Sequence, residues 1–367
     1  MASLMRLARL HEPGRPLRID SVPRPEPRPD DVLVQVKSCG VIPNMNAIFS
    51  GKLWNQLPPL PASVGLDAAG VVAEVGENVT QVRVGQRVYV NPWLACGQCA
   101  YCRAHAPLLC SAAAFQGYFG FFPHSLPQLA RYPFGGFSEY MTAAPQRLVI
   151  LPDAVAFDQA ARFGYTGTSF AALRLGNVGA GTWLAVNGIT GTLGVAAALL
   201  ALGMGATRIL GLGRNRAVLD RLSALAPGRI RTRALDDRPV ADWMRDETDG
   251  LGVDVLLDCS ARAASASVTA DALNGLKRGG MAVNIGALSE PLAIQPMRFM
   301  TSRIGLRGSN WFTTGEGQLM AEMAARGVLD LSHLEPRPFP LERVNDALDA
   351  IKARPGGFVN IVVNPDQ

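Results

Sequence analysis

Ala185-Val-Asn-Gly188-Ile-Thr190-Gly191-Thr192-Leu193-Gly194-Val-Ala-Ala is the stretch on which the reading of this chain turns. An apolar run, Trp183 to Asn187, leads into it, and the residues from Gly194 to Leu202 that follow have helical composition. The glycines therefore sit at a strand-to-helix turn. There Gly188 and Gly191 let the backbone turn tightly and approach a pyrophosphate, while Gly194 lets the helix pack close to the strand. N–H groups and the dipole at the helix start complete a cradle for phosphates. The turn, with Thr190, Thr192 and Leu193 inside it, is predicted to bind a dinucleotide; the plainer alternative is a structural turn.

A second strand, Arg208 to Leu212, follows about twenty residues on and ends in Gly213-Arg214-Asn215. An acidic residue at that tip would hold a ribose 2′-hydroxyl and repel a 2′-phosphate. Gly213 stands there instead, and Arg214 can pair with a 2′-phosphate, so NADPH is the expected cofactor. The bland alternative is a solvated arginine at a helix start. Strands and helices keep alternating through Ala217 to Leu225, Val253 to Cys259, Ser267 to Leu276 and Met281 to Ile285. That rhythm predicts an α/β domain with a doubly wound parallel sheet. A helix over Asp158 to Leu175 precedes it. Helices at Gly317 to Arg326 and Leu341 to Ala353 and strands at Arg303 to Arg307 and Phe358 to Val363 follow it.

Upstream, Cys96-Gly-Gln-Cys99-Ala-Tyr-Cys102-Arg-Ala-His-Ala-Pro-Leu-Leu-Cys110 gathers four of the six cysteines. A short loop with this spacing can wrap four thiolates round one tetrahedral zinc. Four protein ligands close the coordination sphere, so the expected metal is structural, one Zn2+ per chain. Two disulfides are the alternative, but nothing else in the chain suggests an oxidising compartment.

With 367 residues the chain is long enough for two cores. No apolar run reaches the roughly 18 residues of a membrane span, and no secretory signal is visible at the N-terminus. The expectation is a cytoplasmic protein that does not enter a membrane. Its net charge of +5 is scattered rather than striped, which gives no reason to expect a nucleic-acid partner. A small-molecule substrate is expected instead.

Short β-type runs broken by Pro and Gly fill residues 5 to 90, at Leu17 to Val22, Asp31 to Ser38, Gly70 to Val75 and Arg87 to Asn91. Pro23, Pro25, Pro27 and Pro29 read as an exposed connector. Between Ser111 and Phe137 a loop-like segment carries Phe115, Tyr118, Phe119, Phe121, Phe122, Tyr132 and Phe134. Such a segment either seals a core or lines an apolar pocket. The plan is a β-rich lobe at residues 1–157 and 299–367, with a zinc lobe at 91–112, and a nucleotide domain at 158–298 between them.

The four-cysteine loop and the segment Gly65-Leu66-Asp67-Ala-Ala-Gly70-Val-Val-Ala-Glu-Val-Gly76, taken with the glycine turn, resemble the zinc-containing alcohol dehydrogenases of the medium-chain dehydrogenase/reductase superfamily. The resemblance covers nearly the whole chain. It implies a GroES-like lobe, a Rossmann domain, a homodimer or homotetramer, and a second, catalytic zinc held by a Cys, a His and a third ligand. On this chain the Cys position falls at Ile42, in Cys39-Gly-Val-Ile42-Pro-Asn44, the His at Leu66 and the third ligand at Gly164. Two apolar side chains and a glycine cannot bind zinc. Cys39 is a stray ligand or a buried small hydrophobe, and Asp67 is the nearest carboxylate, with a backbone-holding role as its alternative.

Gly65 to Gly70 and Gly188 to Gly191 also resemble the zinc-free quinone oxidoreductase and enoyl reductase branch. That likeness implies hydride delivery from NADPH to an activated C=C, quinone or C=N, with polar side chains stabilising charge on the conjugated oxygen. Candidate donors are Asn44, at the family's proton-relay position, Tyr165 and Thr166; their alternatives are a helix cap for Asn44 and plain packing for Tyr165. By resemblance Thr168 holds the nicotinamide carboxamide and Ile285, Gly286 and Ala287 line its ring. Ile42, Trp54, Leu66, Trp93 and Tyr118 are expected round an apolar substrate. Two other readings remain: an NADP(H)-dependent alcohol dehydrogenase or carbonyl reductase using hydrogen-bond donors in place of zinc, and a non-enzymatic NADPH sensor.

Overall fold

A computed structural model of the chain describes residues 3–53, 55–235 and 238–366. Six parallel strands form the nucleotide sheet, in the order Ile230–Ala234, Arg208–Gly213, Trp183–Asn187, Val253–Asp258, Leu276–Asn284, Gly305–Gly308. The chain starts in the middle, winds outward to one edge, then returns and winds to the other. The doubly wound sheet expected from the alternating pattern is thus present, and its switch point lies beside the glycine turn.

Its last strand moves a boundary. Gly305–Gly308 pairs with Leu276–Asn284, so the nucleotide domain runs past the division expected at 298. Only the chain beyond this strand returns to the first lobe. Composition hid the difference, because a four-residue edge strand with two glycines and an exposed arginine carries little apolar signal.

The first lobe is built on a seven-stranded sheet whose centre is Val32–Gly40, flanked by Asp67–Val75 and Val359–Asn364. Arg87–Val90, Leu148–Ile150, Tyr140–Ala143 and Glu335–Pro340 complete it. The N-terminal strand Leu4–Leu10 pairs with Arg18–Pro23 in a separate small sheet. One large apolar core runs through this lobe and into the inner face of the nucleotide sheet, and a smaller one covers the sheet's other face.

The aromatic segment seals a core. Trp93, Phe115, Phe119 and Trp311 are buried, and their rings meet edge to face, with Phe115 and Trp311 centroids 4.5 Å apart. Part of the segment is regular: Leu126–Arg131 is a short helix.

Between the lobes, the helix expected over 158–175 is two helices, Phe157–Ala160 and Phe163–Leu175. At the break the Ala161 carbonyl packs against Gly40, where a Cβ would lie 2.1 Å from that oxygen. The break also turns Arg162 inward, 2 % exposed. Among the described residues no helix is long and apolar enough to cross a membrane.

Candidate active site

A cleft of about 600 Å³ opens where the nucleotide sheet meets the first lobe, and the glycine turn forms its floor. Gly188 adopts φ +80°, a conformation open to glycine, and a Cβ on Gly194 would lie 2.4 Å from the Gly188 carbonyl. Both glycines serve the geometry expected of them. The helix Thr192–Gly203 begins at the turn, with its first N–H groups at the cleft.

Gly188, Thr190, Gly191, Thr192, Gly213, Arg214 and Asn215 all line this cleft. A side chain at Gly213 would meet Thr190, its Cβ only 2.5 Å from Thr190 Cγ2. The missing acidic residue is therefore also a packing requirement. Asn215 is committed locally: its Oδ1 accepts the Val218 N–H at 3.2 Å and caps the helix Arg216–Leu225. The described residues of the lining include two arginines and no carboxylate, and with the N–H cradle they suit an anionic dinucleotide.

Thr168, Leu193, Ile285, Gly286 and Ala287 lie off the cleft wall. The Thr168 hydroxyl donates to the Gly164 carbonyl at 2.8 Å, and the Leu193 carbonyl accepts from Ser169. Gly286 N–H donates to the Asp258 carbonyl and Ala287 N–H to that of Ser260, which fixes this loop at the strand ends.

Beneath the cleft lies a buried network that motif reading missed. Asn187 Nδ2 donates to Asp258 Oδ1, at 2.9 Å, and lies within hydrogen-bonding distance of the Ser260 and Thr269 hydroxyls. Ser260 donates to the same carboxylate at 2.6 Å. Burial raises the Asp258 pKa, and these donors pull it back. The network holds the Ser260 to Ser265 wall of the cleft, and its sequence signal is faint: the parallel register sets Asn187 beside Asp258, 71 residues on.

In the first lobe, all six cysteines are free thiols, so the disulfide alternative is not what forms. The sulfurs of Cys96, Cys99, Cys102 and Cys110 lie within 4.8 Å of one another. Backbone N–H groups are aimed at them: Cys96 and Ala112 donate to Cys110, and Cys99 donates to Cys96. N–H donors of Gln98 and Cys102 lower the thiol pKa values of Cys96 and Cys99, respectively, while burial raises those of Cys102 and Cys110. Four sulfurs with thiolate-stabilising donors fit a closed tetrahedral zinc site.

A different polar site is buried beside Gly40, whose partner on the neighbouring strand is Asp67. Asp67 is fully buried, its Oδ1 accepts the Tyr89 hydroxyl at 2.7 Å, and its Oδ2 has no hydrogen-bond partner. Burial pushes its pKa up to about 7, against the opposing pull of Tyr89, the Arg162 charge and the Gly164 N–H. A Cβ at Gly164 would lie 2.2 Å from Asp67 Oδ1. The carboxyl group fills the room a side chain at 164 would take. Ile42 and Leu66, 4 % and 2 % exposed, belong to the surrounding core.

Arg162 ties this site to the cleft. Its Nη2 donates to the Gly357 carbonyl at 2.9 Å, and the Gly357 N–H donates to Thr190 in the glycine turn at 3.0 Å.

A family model described as Alcohol dehydrogenase GroES-like domain matches residues 28–153, and one described as Zinc-binding dehydrogenase matches 192–326. An alcohol dehydrogenase of Geobacillus stearothermophilus is 30% identical over 366 residues, 98% of this chain and 100% of its own. The chain belongs to the medium-chain dehydrogenase/reductase superfamily. It is also 26% identical to an L-threonine 3-dehydrogenase of Rhizobium etli, over 98% of this chain and 99% of that one. Among solved structures, a zinc-binding dehydrogenase of Sinorhizobium meliloti 1021 bound to NADP superposes with TM-score 0.84 at 24% identity, covering 99% of this chain and 100% of that chain. The family models and the named relatives make the chain an oxidoreductase.

On this dehydrogenase/reductase the remaining expected site residues fall as follows. Asn44 is exposed beside Pro43, which lines the cleft, and its Oδ1 accepts the Tyr118 hydroxyl at 2.9 Å. It stands at the start of the helix Met45–Phe49 but makes no side-chain cap. Tyr165 is half-buried, with its pKa raised by burial. Thr166 is buried and its hydroxyl donates to the Arg162 carbonyl, so that donor is spent inside the helix. Trp93 and Tyr118 are buried with Ile42 and Leu66, and none of the four is on the cleft wall. Trp54 lies outside the described residues. Motif reading also missed Arg354, Pro355 and Gly356, which reach the cleft from the first lobe.

Proposed function

We propose that this oxidoreductase is an NADPH-dependent reductase that works without a catalytic metal and reduces an activated C=C, quinone or C=N of an apolar substrate. The observation that carries the reading is the Asp67 carboxyl group filling the side-chain space at Gly164, while Ile42 and Leu66 are buried in the apolar core. A catalytic zinc needs three protein ligands and an open position. Here the Asp67 carboxyl group, already bonded to Tyr89, and the buried Cys39 thiol beside it are on hand, short of the three. Among the described residues, the four cysteines of the loop are the one cluster of three or more Cys, His, Asp or Glu set to share an ion.

Bound NADPH would supply the hydride. The chain's part is to hold the two reactants and to stabilise charge that develops on a conjugated oxygen. Asn44 suits the stabilising role, because Tyr118 fixes its amide oxygen and leaves its N–H groups to donate. Arg214, beside Gly213, supports NADPH over NADH through a charge-assisted bond to the 2′-phosphate.

Carbonyl reduction is the second reading, favoured by the names of relatives such as the Geobacillus alcohol dehydrogenase. Incubating the protein with NADPH and an α,β-unsaturated ketone separates the two. The saturated ketone is expected; an allylic alcohol would overturn the proposal, as would two zinc ions per chain by elemental analysis.

A further inference from the structure

Two arginines line the cofactor cleft from opposite lobes. Arg214 follows the strand Arg208–Gly213 of the nucleotide sheet, and Arg354 lies between the helix Val344–Lys352 and the strand Val359–Asn364 of the first lobe. Both are exposed, and among the described residues neither guanidinium has a hydrogen bond, ion pair or ring contact. Two uncommitted cations in a lining without a described carboxylate form a place for a multiply charged anion.

The loop that carries Arg354 is docked, not loose. Beside the two bonds of Gly357 to Thr190 and Arg162, a Cβ on Gly357 would lie 2.3 Å from the Gly191 carbonyl. One built on Gly356 would lie 3.1 Å from Val218, on the helix that Asn215 caps. The loop is wedged between the glycine turn and the helix that begins just after Arg214. Within it Arg354 holds φ +51°, a left-handed conformation that few residues other than glycine keep.

We propose that Arg354 is a second cation for the 2′-phosphate of NADPH, holding it from the first lobe while Arg214 holds it from the nucleotide domain. This rests on the NADPH reading above. The pyrophosphate has the turn and the helix N–H groups to receive it. A 2′-phosphate carries about −1.5 to −2 charges near neutral pH, which one guanidinium does not balance and two do. Cofactor choice then depends on how both lobes are set, not on the nucleotide domain alone.

The test compares dissociation constants of NADPH, NADH and 2′,5′-ADP for the unaltered protein and for Arg214→Ala, Arg354→Gly and Arg354→Lys. Glycine is chosen because it accepts φ +51° without strain; an unchanged melting temperature verifies the loop. Arg354→Gly is expected to weaken NADPH and 2′,5′-ADP by about 10-fold or more and to leave NADH within about 2-fold, with Arg354→Lys recovering part of the loss. Equal weakening of NADPH and NADH, or no change in either, overturns the proposal. A protein that prefers NADPH and loses that preference in Arg214→Ala but not in Arg354→Gly overturns the role of Arg354 alone. No preference in the unaltered protein overturns the NADPH reading itself.

Discussion

The four-cysteine loop and the site round Asp67 belong to one lobe and treat polarity in opposite ways. In the loop, four sulfurs converge and backbone N–H groups point at them, donating to Cys96 and Cys110. Beside Gly164, a fully buried carboxyl group has one oxygen unbonded, and burial favours its neutral form. A metal can order a segment with no core of its own, whereas at the second site the Asp67 carboxyl group itself occupies the space beside Gly164. Under the proposed function, metal binding and reaction chemistry are separate within one fold.

Removing the metal from the loop should have the largest effect. Structural zinc contributes on the order of 10 kcal/mol in small zinc modules. Cys99→Ser, or a strong chelator, should abolish zinc binding and lower the melting temperature markedly; unchanged zinc content and melting would erase the contrast. The next effect is a pH dependence. Because the folded Asp67 pKa is raised, its contribution to stability is full below the unfolded value and is lost as pH rises toward about 7. The gap between the ordinary 3.8 and about 7 corresponds to about 4 kcal/mol at most. Melting curves of Asp67→Asn against the unaltered protein should therefore diverge between pH 4 and 7, in the variant's favour toward the alkaline end, and parallel curves would show an ordinary carboxylate.

Gly164→Ala places a methyl group against that carboxyl and should cost about 1 to 3 kcal/mol by overpacking. Combining it with Asp67→Gly should return part of the loss; additive effects in denaturant titrations would mean that the two positions do not share the space. Tyr89→Phe, which removes the donor to Asp67 Oδ1, should have the smallest effect, about 1 kcal/mol, together with a further rise in the pH at which Asp67 ionises.

The glycine turn could be read from the sequence because its constraint is local: strand, Gly188 and helix lie within twenty residues and the backbone alone explains them. The same holds for the cysteine loop. Leu4–Leu10 and Ile230–Ala234 were not legible, since the first begins at the chain terminus and the second alternates arginines with small residues. Arg354 was hidden for another reason. Nothing near it in sequence marks it, and it reaches the cleft only because Gly357 docks on Thr190, 167 residues earlier. Asp67 stood in view, but its role depended on the space at Gly164, which no motif shows.

The pairing of Val359–Asn364 with Val32–Gly40 carries a consequence for how this protein comes into being. The central strand of the first lobe appears in synthesis well before the nucleotide sheet, while its neighbour Val359–Asn364 emerges only after it. The nucleotide sheet, closed within residues 183–308, can assemble on the ribosome while the end of the central strand at Cys39 and Gly40 still waits for its partner; the other end, Val32 to Gln35, is already paired with Tyr140–Ala143. Completion of the first lobe thus follows the nucleotide sheet, and the short edge left bare until then is where a chain stalled in between is exposed to aggregation.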